Sequence, residues 1–500
     1  MGHDDQETGR LEEMVAERRA KLELLRAGGV DPYPVGVRVT HSLAELRERF
    51  QDLLDPGQSS GLRVSVGGRL VSRRGHGRLV FLVLREHDTD LQVMAQLDVL
   101  GAEGMALVAE LDLGDWLAAE GEVVRTRRGE LSVQTQRVTL IGKSLRPMPD
   151  KWHGVRDLET RWRQRYVDLT VNADARRVFM IRWKAVAALR AELVGRGYVE
   201  VETPMLQPLP GGAAARPFVT HHNALDLDLF LRIAPELYLK RLVAGGLPRV
   251  FELNRNFRNE GLSPRHNPEF TMLESYEAYA DYHAIMELTQ VLVQRAARDA
   301  VGSLALRYDG RDVDLGADWP RRSLLDLVRE ATKRPDLSYE GSCLGTLRGI
   351  CGIHGIDWQT SWGPGKLVLE LYERLVEPTL WDPTFVVDYP VEVSPLARRH
   401  RSDPEVTERF ELIVAGRELA NAFSELTDPV DQRARLEAQA RARAAGDEEA
   451  MAVDEDYLRA MEFGMPPMGG LGIGVDRLVM LLADVRTIRD VILFPTLRPE

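Results

Sequence analysis

The sequence predicts an α+β protein: a small N-terminal β-barrel followed by a larger domain built on an antiparallel sheet. Three observations carry that reading. Residues 61–143 are dense in short apolar runs separated by glycines and charged turns, the spacing of strands in a small all-β unit. From about residue 175 helical and strand-like stretches alternate irregularly, without the βαβα rhythm of a doubly wound sheet. At 500 residues the chain has room for two or three domains with cores of their own.

The first 60 residues read as a helical extension. Residues 10–28 place Leu11, Met14, Val15, Leu22 and Leu25 on one stripe, stopped by Gly28-Gly29 and Asp31-Pro32-Tyr33-Pro34; such a stripe predicts a helix docked on its neighbour. Within 61–143, LRVSVGG, LVFLVL, LQVMAQL, EGEVVRT and LSVQTQRVTLI read as strands, with one helix near 98–110. A five-stranded oligonucleotide-binding barrel, the OB-fold, suits that set. Arg63, Arg69, Arg73, Arg74 and Arg78 fall in its first strands and turn, Arg125, Arg127 and Arg128 in a later one, and Phe81 between them. Arginines beside an exposed aromatic are what single-stranded bases need, phosphate neutralisation plus a stacking platform. A solvated charged face has the same composition, so both readings stand. Residues 144–174, basic and Pro-containing, read as a linker ending in a helix, and 175–500 as the second domain. The Ala/Arg/Glu-rich stretch 432–450 predicts an exposed helix.

Bulk properties exclude several classes. With 44% hydrophobic and 28% charged residues the composition is that of an ordinary globular protein, and no apolar run is long enough for a membrane span. The start, MGHDDQETGR, has neither the basic nor the apolar part of a secretory signal. It resembles a myristoylation site only in its Met-Gly. Cys343 and Cys351 are the only cysteines and form no CxxC, which speaks against a zinc site or disulfide framework. The cytoplasm is the expected address. The net charge of −12 would discourage a polyanionic partner, but nucleic acid responds to local field and not to the total.

Three segments carry chemistry. Residues 250–279 read as a hairpin holding Arg258, Glu260, Arg265, His266, Glu269, Phe270 and Glu274. So many opposite charges cost desolvation energy unless a ligand or cross-strand partners satisfy them, and arginine suits carboxylate and phosphate oxygens. In residues 469–495, Gly470, Gly472 and Gly474 allow close approach to a strand, and Asp476-Arg477 then opens an apolar helix. Arg477 is expected over whatever lies on that glycine floor, either a nucleotide or simply packed chain. In residues 409–426, Glu411 and Glu418 flank a Gly416 turn and can converge on Mg²⁺. Glu425, with Phe423 and Leu426 beside it, calls for a cation: a substrate ammonium or an internal Lys or Arg.

These segments resemble class II aminoacyl-tRNA synthetases in their lysyl form. FRNEG with the following RHNPEF resembles motif 2, and GLGIGVDRLVM with IRDVILFP resembles motif 3. RWKAVAALRAELVGRGYVEVETPML, residues 182–206, is similar to motif 1. Residues 210–246 and EVSPLARRH, 392–400, resemble the same family, whose likeness spans nearly the whole chain. The class I signatures HIGH and KMSKS are absent. The resemblance implies a class II antiparallel-sheet catalytic domain behind an OB-fold anticodon-binding barrel, acting on L-lysine, ATP and tRNA(Lys) with Mg²⁺ as cofactor. Its motif 1 implies a homodimer. Catalysis would fall to Arg258 and Arg477. Arg258 would hold the α-phosphate and the lysine carboxylate; Glu260 would meet the adenine edge, with Phe270 and Arg477 sandwiching the ring above Gly474. His266 would face the outgoing phosphates, and Glu411 and Glu418 would bind Mg²⁺. Gly212 and Glu236 would receive the α-amino group and Tyr276 with Glu425 the side-chain ammonium; Glu274, Asn421 and Phe423 would line the same pocket. In the barrel, Phe81, Arg73 or Arg74, and Glu130 match anticodon-reading positions.

The sequence departs from the family pattern at Ala420 and Ala422, where glycine is common; an added methyl there would narrow the lysine pocket or change the amino acid it tolerates. Two rivals remain: a paralogue that lysylates a protein or small molecule, and a non-catalytic RNA-binding or regulatory protein on the same scaffold. The intact barrel speaks against the first, and retention of Arg258, Glu411, Glu418 and Arg477 against the second.

Overall fold

The computed structural model describes residues 2–149, 155, 157–444 and 450–499. The chain divides into two compact units, Met1–Arg176 and Arg177–Glu500.

The first unit begins with α1 (Gly2–Ala27), which starts earlier than its apolar stripe suggested. Leu22 and Leu25 are buried, whereas Met14 is 36% exposed. Polar contacts fasten the helix: Arg18 donates to the carbonyls of Leu113, Ser144 and Arg146, and Lys21 pairs with Asp112 at 2.9 Å. Helix α2 (Leu43–Phe50) opens on a capping box between Ser42 and Glu45. Strands β1 (Ser59–His76), β2 (Leu79–Glu86), β3 (Thr89–Gln96), β4 (Trp116–Arg125) and β5 (Leu131–Gly142) follow, with α3 (Leu97–Glu110) between β3 and β4. They close into a barrel in the order β1-β2-β3-β5-β4. Alternate residues such as Leu82, Leu84, Leu91, Val93 and Val133 fill its interior. The expected linker contains two short helices, α4 (Leu158–Arg163) and α5 (Arg165–Val171); its residues 150–154 and 156 lie outside the described residues.

Helix α6 (Ala173–Gly195) leads into the second unit and β6 (Val199–Glu200). A three-stranded sheet joins β7 (Leu206–Gln207), β8 (Val219–His222) and β9 (Leu227–Leu231), followed by α7 (Glu236–Ala244). Then come β10 (Arg249–Phe257), β11 (Glu269–Ala278), α8 (Tyr282–Val301), the hairpin β12 (Ala305–Tyr308) and β13 (Arg311–Asp314), and β14 (Arg321–Ser323). Helices α9 (Leu324–Thr332), α10 (Leu344–Ile353) and α11 (Pro364–Leu375) precede β15 (Thr384–Val387), β16 (Arg409–Val414) and β17 (Arg417–Ser424). The chain ends through α12 (Pro429–Ala444), α13 (Glu455–Glu462), β18 (Met468–Gly474), α14 (Val475–Ala483) and α15 (Ile488–Val491). The expected exposed helix over 432–450 is therefore α12, and it buries Gln432, Arg435 and Leu436; residues 445–449 lie outside the described residues.

An eight-stranded sheet in the order β14-β15-β16-β17-β18-β11-β10-β6 spans this unit, antiparallel through its centre. Because strand side chains alternate, one face holds Phe251, Leu273, Leu412, Ala420, Ala422 and Ile473 against α6 and α8 in the main core. The other face is polar. Register aligns Glu411 with Asn421, Asn421 with Gly472, and Gly472 with Glu274 across four strands. A parallel row aligns Arg409, Phe423, Gly470 and Tyr276.

Candidate active site

That polar face is the floor of a cleft of about 320 Å³. Every residue that the resemblance assigns to ATP, lysine or Mg²⁺ lines it except Glu425, which lies beneath. The glycines of β18 create the room. A Cβ at Gly470 would collide with Glu425 Oε1 and the Tyr276 ring. Gly212 has φ +86° and lies against Glu236, so a side chain there is excluded by conformation and by space.

At one end stand the arginines. Arg258 follows β10, its guanidinium 5.1 Å from the Phe270 ring centroid, and its Nε is buried without a hydrogen-bond partner. Arg477, in the first turn of α14, donates from Nη1 to the Glu418 carbonyl at 2.8 Å and to Glu418 Oε2 at 2.9 Å. Arg258, not Arg477, thus faces Phe270 in this conformation. Asp476 stands in the first turn of α14, as expected, and accepts from Thr271 N at 2.6 Å and Arg182 at 2.6 Å. It ties α14 to β11 and α6. His266 lies by Ser263 Oγ at 3.0 Å; desolvation first, then the Arg477 charge, lower its imidazole below the ordinary value.

The two carboxylates that the resemblance assigns to a metal lie on the adjacent strands β16 and β17 and both line the cleft. Burial and the Glu418 charge push Glu411 up to about 7, against the pull of Arg409, which pairs with it at 2.7 Å. Burial also raises Glu418, but Arg477, with Arg258 and Arg409 behind it, outweighs that and holds this carboxyl low. Among the described residues no cluster of three or more His, Cys, Asp or Glu could hold a metal by itself. Two carboxylates are nonetheless the donor set of Mg²⁺ that takes its remaining oxygens from water and substrate phosphates.

At the other end the cleft is acidic. Burial and then the Glu236 charge push Glu274 up to about 8, and it accepts from the Tyr276 hydroxyl at 3.2 Å. Glu425 is fully buried, and burial drives its carboxyl well above the usual range. The internal cation that its burial called for is present: Lys240 Nζ lies 2.5 Å from Glu425 Oε2. Lys240 and Arg409 are charged residues here that the sequence reading missed. Arg409 sits two residues before Glu411, and Lys240 one helical turn after Glu236, so each shared a face with a singled-out residue.

Ala420 and Ala422 require a correction. Both are buried in the main core, on the opposite face of β17 from Asn421 and Phe423. Their methyl groups do not narrow the cleft.

In the barrel, Phe81 is half-buried on β2 and pairs across the strands with Arg74, which is exposed. Arg73 is committed elsewhere, donating to the carbonyls of Ala109 at 2.9 Å and Leu111 at 3.3 Å at the end of α3. Glu130 lies 3.5 Å from Arg47. Arg69 and Arg125 also donate to main-chain carbonyls; the exposed arginines of the two groups are Arg63, Arg74, Arg127 and Arg128, together with Arg73, so engaged, and Arg78, which is paired with Asp98.

Comparison with known proteins adds independent findings. Residues 157–498 match the family described as tRNA synthetases class II (D, K and N), and residues 64–141 match the OB-fold nucleic acid binding domain. A lysine–tRNA ligase of Magnetococcus marinus is 50% identical over 98% of this chain and 97% of the relative. One of Moorella thermoacetica is 49% identical over 98% of each chain. One of Xanthomonas oryzae pv. oryzae is 51% identical over 97% of each.

Proposed function

The chain belongs to the class II (D, K and N) tRNA synthetases and, within them, to the lysine–tRNA ligases; from that premise we propose how its cleft divides the work. The enzyme activates lysine with ATP to lysyl-adenylate and transfers the lysyl group to the 3′ end of tRNA(Lys) for translation. In the first step a lysine carboxylate oxygen attacks the α-phosphorus and pyrophosphate leaves. In the second a terminal hydroxyl of the tRNA attacks the acyl carbon and AMP leaves. Neither step requires a protein nucleophile, so the protein contributes positioning and charge.

Arg258 holds the α-phosphate and the lysine carboxylate. Its unmet, buried Nε supports this, since a buried donor of that kind is stabilised by an anionic ligand. Phe270 and Arg477 bracket the adenine, Glu260 meets its edge, Gly474 lies below, and His266 faces the departing phosphates. Glu411 and Glu418 hold Mg²⁺, which supplies Lewis-acid neutralisation of phosphate charge. Gly212 and Glu236 receive the α-amino group, Tyr276 and Glu425 the side-chain ammonium, with Glu274, Asn421 and Phe423 around them. Selectivity follows: a substrate without the ammonium leaves buried acids unpaired, a difference on the order of 10⁴-fold.

The observation that carries this reading is the polarity of the one cleft, arginines at one end and buried carboxylates at the other. Phe81, Arg74 and Glu130 serve the anticodon; Arg73 supports the barrel wall beside them. The protein acts as a homodimer through α6 and β6, which carry Trp183 at 63% and Val199 at 49% exposure; sedimentation velocity tests this. We assign the work to the cytoplasm, where tRNA is charged. No helix among the described residues is long and apolar enough to cross a membrane. The test of the activity is charging of tRNA(Lys) with lysine and ATP; adenylate without charged tRNA would favour a protein- or metabolite-lysylating enzyme.

A further inference from the structure

The acidic end of the cleft contains a cation that the division of roles above leaves unused. Lys240, on the inner side of α7, has a side chain at 0% exposure. Its ammonium bonds Glu236 one helical turn back and lies 2.5 Å from Glu425 Oε2. The Phe423 and Tyr276 rings face it at 5.3 and 5.9 Å. Tyr457 of α13 also acts on it, Glu274 of β11 acts on Glu425, and Arg241 beside it turns outward to Asp454 and Asp456. Neither oxygen of Glu425 makes a well-aligned hydrogen bond, so its ion pair with Lys240 is what holds the carboxylate.

Three carboxylates, Glu236, Glu274 and Glu425, act on one another here, and Lys240 is paired with two of them; the cations that act on Glu274 are Arg232, itself paired with Glu252, and Arg258 at the arginine end. A buried ammonium is tolerated only with such partners, but one partner would suffice. The surplus, once all three acids are ionised, is two negative charges, and free lysine carries two ammonium groups. We propose that Lys240 is a positioning residue, the resident counter-ion of the amino-acid pocket: clasped between Glu236 and Glu425, it offsets one of the three acids, holds Glu425 against the Gly470 floor, and leaves two charges for the two ammonium groups of the substrate. This rests on the assignment of Glu236, Glu274 and Glu425 to lysine binding.

The electrostatics agree in direction. Burial raises Glu425 and Glu274, and Lys240 is the strongest influence pulling Glu425 back. Lys240 itself is raised: desolvation lowers it, but the Glu236 and Glu425 charges, with Tyr457 and the Glu236 hydrogen bond, outweigh that loss. Lysine binding needs Glu425 ionised. Removing Lys240 shifts that ionisation to higher pH, so affinity is lost most at neutral pH and regained as pH rises.

The test is the lysine KM in ATP–pyrophosphate exchange at saturating ATP, between about pH 7 and pH 9, where the lysine side chain stays charged. The wild type is compared with Lys240→Met, Lys240→Gln and Lys240→Arg, each checked for folding by circular dichroism. For the uncharged variants the ratio of lysine KM to wild type is expected to be on the order of ten or more near pH 7 and to shrink toward pH 9. The ATP KM stays put, and Lys240→Arg gives a ratio that does not vary with pH. A ratio near one, or a raised ratio that is flat with pH, overturns the proposal. Should neither uncharged variant fold, Glu236→Gln carries the test: with one competing acid gone, the pH at which lysine KM levels off is expected to fall, and no downward move overturns the proposal. Glu425→Gln separates the two layers. If it leaves lysine KM unchanged, the pocket assignment itself fails; if it raises lysine KM while the Lys240 variants show no pH-dependent ratio, only the role of Lys240 fails.

Discussion

Arg477 Nη1 donates simultaneously to the main-chain oxygen of Glu418 at 2.8 Å and to its carboxylate at 2.9 Å. The arginine assigned to the nucleotide is thus held by a carboxylate assigned to the metal. Arg477→Ala is expected to lower kcat for adenylate formation about 10²- to 10³-fold, the scale of losing one preorganised charge at the reacting phosphate. Glu418→Gln is expected to raise the Mg²⁺ concentration needed for half-maximal exchange by about tenfold or more. Titrating Mg²⁺ in the exchange assay reads both; unchanged Mg²⁺ dependence in Glu418→Gln contradicts the assignment.

The acids of the cleft predict the pH behaviour of the free protein. Glu411 and Glu274 are pushed up to about 7 and about 8, above their unfolded values. The folded state therefore binds more protons than the unfolded state between about pH 4.5 and pH 8, and stability falls as pH rises through that window. Thermal melts should show Tm declining there in the free enzyme, with the decline reduced by lysine, ATP and Mg²⁺ together. Glu411 must also lose its proton to bind metal, so Mg²⁺ affinity should weaken as pH falls below about 7. A flat Tm profile, indifferent to ligands, counts against these shifts.

Phe81 and Arg73 separate two roles in the barrel. Phe81→Ala is expected to raise the KM for tRNA(Lys) about 10- to 100-fold, the value of one stacked base, and to leave ATP–pyrophosphate exchange unchanged. Arg73→Ala removes donors to Ala109 and Leu111 and should cost about 1 kcal/mol of stability without that tRNA signature. Equal effects of the two variants on tRNA KM would place Arg73 at the RNA.

Ala422→Gly tests the face of β17. Ala422 is buried in the core, so deleting its methyl should lower stability by about 1–2 kcal/mol and leave lysine KM unchanged. A lower lysine KM would return the methyl to the pocket.

Much of the site was legible because its parts are local. The hairpin of β10 and β11, the turn between Glu411 and Glu418, and the glycines of β18 each lie within a short segment whose alternation fixes a face. Alternation also contained the answer for Ala420 and Ala422: if Asn421 and Phe423 face the cleft, their neighbours face the core. What sequence does not carry is how a charge is spent. Arg73 reads the same whether it meets a phosphate or caps α3, and Arg18 gave no sign of its buried carbonyl contacts. The meeting of Lys240 with Glu425 joins α7 to the end of β17, 185 positions apart in the numbering, and only the folded sheet brings it about.

Lysine-dependent ATP–pyrophosphate exchange by the wild type and by Arg258→Ala tests the central claim most directly. Exchange should be robust in the wild type, require lysine, and vanish in Arg258→Ala while the melting curve stays in place. Exchange that ignores lysine, or survives intact without the Arg258 guanidinium, would contradict the account.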